Sequence, residues 1–156
     1  MKKILTITIC LLVALSLTAC KSTKKTKKER SAEELLDLYV EAMEKEKYEN
    51  MEKIVPKFYL EANNFTKESF EKGIKNAKEE FGDDLKVTYE IKEKKELEES
   101  ELKKANEYLS KFENYKEVSK CYSLNGTITF SGSKFTDPDP MDTYYCKIED
   151  EWYLIF

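Results

Sequence analysis

The chain has 156 residues, of which 37% are charged and 12% aromatic, and carries a formal net charge of −4. It contains no histidine, which excludes Ser–His and Cys–His nucleophilic machinery and the usual zinc constellations. The charge is divided unevenly: residues 31–156 hold 19 lysines against 30 acidic residues, a net of −11, so this part is a poor candidate for binding nucleic acid.

The N-terminus opens with Lys2 and Lys3 and then runs uncharged from Ile4 to Ala19. A basic start, an apolar run and a close on small residues form the pattern of an export signal. The run is shorter than the roughly 20 residues a bilayer span needs. Leu17-Thr18-Ala19-Cys20 resembles the lipobox of bacterial lipoproteins. The resemblance implies cleavage between Ala19 and Cys20 and a diacylglyceryl group on the Cys20 thiol. The alternative is an ordinary secretory signal that happens to contain a cysteine. Residues 1–19 thus read as a signal peptide and residues 20–30 as a lipidated cysteine followed by a basic tether. The tether, KSTKKTKKER, has no apolar periodicity and cannot bury a core. Ten flexible residues reach roughly 16–19 Å. Their lysines suit anionic headgroups, at about 1 kcal/mol per basic residue near the surface. The expected location is the extracytoplasmic face of a cell membrane.

Residues 31–156 have the size of one domain. Ser31-Ala32-Glu33-Glu34 is a capping box, and Leu35, Leu36, Tyr39, Ala42 and Met43 recur at helical spacing. These predict a first helix over about Ala32 to Lys47. Asn50 is expected to cap a short second helix that Pro56 breaks. Thr66 caps a third, with Phe65 stapled onto Phe70; Phe70, Ile74, Ala77 and Phe81 share its apolar face, and Gly82 ends it.

The period then changes. Leu85, Val87, Tyr89 and Ile91 alternate with polar residues as a strand with one wet face. The charged run KEKKELEESE reads as a solvated face or loop. A fourth helix carries Leu102, Ala105, Leu109 and Phe112. From Glu117 to Ser131 a long strand places Val118, Tyr122, Leu124, Ile128 and Phe130 on one face and Cys121, Ser123, Thr127 and Thr129 on the other. Asn125-Gly126 reads either as a hairpin turn or as a bend in one strand, the bend being preferred because the alternation runs through it. KFTDPDPM, residues 134–141, reads as a turn, followed by a strand through Tyr144, Cys146 and Ile148 and a last strand from Trp152 to Phe156. The fold class is therefore α+β, with N-terminal helices packed on one face of a curved antiparallel sheet.

This element order, with the ending KIEDEWYL over residues 147–154, resembles the nuclear-transport-factor-2-like superfamily, and in particular small lipoproteins of that fold in Gram-positive bacteria. The resemblance implies a cone of helices and sheet around a cavity. Enzymes of the superfamily line that cavity with Asp–His pairs or other polar groups; with no histidine, no catalytic residue carries over. The helix between the first two strands departs from the common pattern.

Cys121 and Cys146 form an even pair in an exported domain, where a disulfide is expected; the alternative is two small buried hydrophobes. Asp137, Asp139 and Asp142 cluster oxygen ligands, but Asp-Pro pairs are ordinary turn formers and the spacing is not that of a calcium loop. Tyr89, Tyr122, Tyr144 and Trp152 fall on the expected inner side and are the candidates for lining a pocket, against plain core packing. Tyr108, Tyr115 and Tyr153 are candidates for an outer adhesive patch. These features point to a membrane-anchored, non-catalytic binding or interaction domain without cofactor, metal or nucleic acid. Its partner would be a surface protein, the wall, a small molecule or a second copy. The alternative is a small-molecule carrier or sensor using the cone cavity.

Overall fold

A computed structural model describes residues 29–156. The signal peptide, Cys20 and most of the tether lie outside the described residues. Nine elements follow in chain order: α1 (Ala32–Lys45), α2 (Tyr48–Ile54), α3 (Lys57–Ala62), α4 (Lys67–Phe81), β1 (Lys86–Glu96), α5 (Glu99–Leu109), β2 (Val118–Ser131), β3 (Thr136–Ile148) and β4 (Glu151–Ile155). The strands form one four-stranded sheet in the order β1-β2-β3-β4, and every neighbouring pair is antiparallel. Among the described residues no helix is long and apolar enough to cross a membrane.

The helix starts follow from local chemistry. Ser31 Oγ accepts the Glu34 amide at 3.2 Å while the Glu34 carboxylate accepts the Ser31 amide at 2.9 Å, so two orphan donors of α1 are satisfied reciprocally. Thr66 and Ser69 do the same for α4, and the Phe65 and Phe70 rings lie 6.2 Å apart in the expected staple. Gly82, at φ 119°, ends that helix.

Along the chain, three expectations are corrected and one is extended. The first helix ends at Lys45 instead of Lys47, because Glu46 turns left-handed at φ 56°. Asn50 is not a cap: it is buried inside α2, donating its side-chain amide to Glu41 Oε2 at 3.1 Å. Pro56 does break the helix, but the chain resumes at once as α3, with the proline at its N-cap where a missing N–H costs nothing. Residues 136–141 are strand and not turn. Pro138 and Pro140 pair with Thr129 and Thr127 of β2, while β4 begins to pair with β3 only at Tyr144. This stretch is therefore a sheet edge, where strand prolines are tolerated.

Of the two readings of the charged run after Ile91, the solvated face holds as far as Glu96, where β1 continues with exposed side chains. At Asn125-Gly126, β2 runs straight through, and the irregularity sits on its partner, between Ile91 and Glu93. A Cβ on Gly126 would stand 1.9 Å from the Glu90 carbonyl oxygen, so only glycine permits this close approach.

Where β2, β3 and β4 meet, both sheet faces are buried. Leu124, Met141, Tyr145, Trp152 and Leu154 pack with Leu35, Leu36 and Ala42 of α1 on one face. Cys121, Cys146, Ile148 and Ile155 pack on the other, beneath Leu109 of α5. The expectation of helices on one face alone thus fails, and α5 is the reason. A register shift between Val118 and Lys120 turns Val118 onto the same face as Cys121. Glu29 and Arg30, which the sequence reading assigned to the tether, contact the domain. Arg30 donates to the carbonyl oxygens of Lys53 and Trp152 and accepts the Tyr145 hydroxyl at 2.6 Å on its own carbonyl, while Glu29 pairs with Lys147 at 2.6 Å.

A candidate ligand groove between the helices

Three of the four expected pocket residues come together on the α1 side of the sheet. Tyr122 lies 6.0 Å from Trp152, and Tyr89 packs against the same cluster. The side chains stack on one another and fill the sheet face. The Trp152 ring lies flat against Tyr145, with centroids 4.1 Å apart, and Lys94 caps the Tyr145 and Tyr122 rings at 4.6 and 5.0 Å. Tyr89 donates to Asp37 Oδ1 at 2.8 Å, and its pKa is pushed up to about 12 by burial first and by Asp37 second. Tyr144 is the exception. It sits on the opposite face, 39% exposed, and Tyr145 takes the inner position. The alternation Tyr144-Cys146-Ile148 is genuine, but it marks the α5 side, because β3 is buried on both faces here.

Burial of that second face also places the cysteines. Cys121 and Cys146 are directly opposed across β2 and β3, with sulfurs 2.10 Å apart in a disulfide. Both are buried. Asp137 and Asp139 fall on one face of β3 and Asp142 on the other, and among the described residues no three His, Cys, Asp or Glu side chains gather as a metal site. Of the tyrosines expected outside, Tyr108 is exposed, Tyr153 is half-buried, and Tyr115 donates to Asn106 Oδ1 at 2.6 Å.

A strongly apolar opening lies elsewhere, in the helical layer. A groove of about 440 Å³ lies between α1 and α4. Tyr39 and Met43 of α1 form one wall and Phe70, Gly73 and Ile74 of α4 the other. Met51, Val55 and Leu60 form the floor, and Phe156, just past β4, closes one end. The volume falls in the range of small-molecule sites, about 300–1,000 Å³. No charged side chain lines it among the described residues.

Its polar groups are few. Ser69 is occupied with the α4 cap, and Asn63 donates to the Tyr59 carbonyl at 2.8 Å. The Tyr59 hydroxyl donates to the main-chain oxygen of Phe156. The Tyr39 hydroxyl has no hydrogen-bond partner among the described residues, and burial pushes its pKa up to about 12. It stays neutral across the physiological range and can both donate and accept.

Gly73 is the residue sequence reasoning passed over. It sits in the interior of α4, between Phe70 and Ala77 on the apolar face. Its φ is not positive, and a Cβ added there meets nothing within 4 Å. Backbone geometry therefore does not require glycine, and in a helix interior glycine costs about 1 kcal/mol relative to alanine. What the missing side chain leaves is room at the groove. The available signal was a glycine on the apolar stripe of a strongly amphipathic helix.

No family model matches this chain, and neither the search of curated proteins nor that of solved structures finds a similar protein.

Proposed function

We propose that this protein is a lipid-anchored, extracytoplasmic, non-catalytic binding domain whose ligand sits in the groove between α1 and α4. The lipobox-like sequence ending at Cys20 and the basic tether support the anchor. The element order, helices first and an antiparallel four-stranded sheet after them, is consistent with a cone of the nuclear-transport-factor-2-like kind. Among the described residues no carboxylate, lysine or cysteine side chain lines the groove, which favours binding over catalysis.

Such a domain could dock a surface partner or hold a small molecule, and the groove favours the second. The observation that carries this reading is Gly73. A helix position that alanine would stabilise is left without a side chain where a large one would narrow an apolar groove. The test is binding of the uncharged apolar fluorophore N-phenyl-1-naphthylamine to the chain from residue 20 onward, with Cys20→Ser so that no acyl group of its own competes. Saturable binding that Gly73→Phe weakens at least tenfold is expected. Absence of binding, or equal binding by the variant, would overturn the reading.

A further inference from the structure

The groove has a neighbour. A second apolar cavity of about 370 Å³ lies on the other side of Tyr59 and Phe156, between α5 and the disulfide face of the sheet. The two openings share those two residues and no others. The partition is lightly held. Phe156 is 47% exposed, its ring lies 5.3 Å from that of Tyr39, and its main-chain oxygen accepts from the Tyr59 hydroxyl. Three of the four large hydrophobic side chains exposed among the described residues, Tyr108, Tyr144 and Phe156, converge on the second cavity. Apolar surface concentrated in this way marks a binding region.

The walls also say what can bind. No charged side chain lines either cavity among the described residues. A carboxylate, phosphate or ammonium seated there would lose its hydration without gaining a charged side-chain partner among the described residues, which is costly. A peptide would bring backbone N–H and C=O groups that need partners, and these walls offer few. An acyl chain brings none of these groups. A single hydroxyl or ester oxygen on it would find the unpartnered Tyr39 hydroxyl.

We infer that the ligand is an uncharged acyl-chain molecule, and that a chain long enough to fill the first cavity displaces the Phe156 ring and continues into the second. This inference rests on the binding reading above and adds the ligand class and the gate. The experiment measures displacement of N-phenyl-1-naphthylamine from the same Cys20→Ser chain by 1-alkanols of increasing length and by the matching carboxylates above neutral pH. Each added methylene is worth a factor of about four in affinity while it is being buried. Alkanols should gain affinity steadily with length and exceed the carboxylates at least tenfold. Phe156→Ala should tighten the long alkanols severalfold more than it alters the short ones, which reach only the first cavity. Ala105→Leu, which narrows the second cavity only, should remove the gain for long chains alone.

Equal binding of alkanols and carboxylates would overturn the ligand class. A length plateau that neither Phe156→Ala nor Ala105→Leu moves would overturn the gate. Displacement by an apolar peptide but by no alkanol would overturn the inference and leave the binding reading standing. Failure of the fluorophore itself to bind is the distinct outcome that removes both.

Discussion

Gly73→Ala separates a glycine that the fold needs from one that leaves a groove open. Position 73 is the seventh of the fifteen residues of α4 and is solvent-accessible. The new methyl group meets no atom within 4 Å, so no clash offsets the helix-propensity gain. Alanine in an exposed helix interior gains about 0.5–1 kcal/mol over glycine, part of it by restricting the unfolded chain. For a domain of this size that raises Tm by roughly 2–5 °C. Urea unfolding followed by far-ultraviolet circular dichroism should move to a higher midpoint with an unchanged slope. Gly73→Phe keeps part of that gain and stands a large ring at the groove mouth, so stability and fluorophore binding should move in opposite directions. A destabilised Gly73→Ala would refute the reasoning, because it would mean that the glycine is required by packing and that the groove is incidental.

Two further predictions rest on the structure and one on the sequence. Replacing Cys121 and Cys146 by alanine together should cost about 3.5 kcal/mol, the loop-closure value for a sequence separation of 25; chemical unfolding against wild type checks it, and a loss below ~1 kcal/mol would show that the β2–β3 pairing already restrains the unfolded chain. Glu41 accepts from Lys47 at 2.8 Å, Lys45 at 3.0 Å and Asn50 at 3.1 Å, and these bonds, that of Lys47 first, hold its pKa down to about 2. Because the folded value is depressed, the stabilisation is complete above the unfolded value near 4.5 and is lost as pH falls through about 2; Glu41→Gln should flatten that acid limb of the Tm profile, and a limb of unchanged steepness would count against the assignment. Cys20→Ala should leave the protein uncleaved or shed it into the soluble fraction, and unchanged membrane retention on cell fractionation would refute the lipid anchor.

How much of this was legible in the sequence depends on how local each signal was. Ser31 with Glu34, Thr66 with Ser69 and the Phe65–Phe70 staple are contacts within one turn, and the helices start where those residues say. Strand periodicity was equally local, and it placed Tyr122, Leu124 and Ile128 together on the α1 face. It misled at Tyr144. Alternation identifies the buried face of a strand only when the other face is wet, and β3 is covered on both, by α1 on one side and α5 on the other. The same double burial explains how Cys121, among polar neighbours in sequence, comes to oppose Cys146, among apolar ones.

The groove lay beyond local signals for a deeper reason. Tyr39, Met51, Gly73 and Phe156 come from four separate parts of the chain and meet only through the way the helices cross. Each has an ordinary local reading: Tyr39 and Met51 as core, Gly73 as a helix weakness, Phe156 as the close of a strand. Only Gly73 breaks a local rule without a local compensation, since its neighbours on α4 form a regular apolar stripe and its backbone conformation suits alanine. A position that lowers stability where nothing nearby requires it points to a demand made from outside the helix. Among the described residues, what adjoins it and would be narrowed by a larger side chain is the space between α1 and α4.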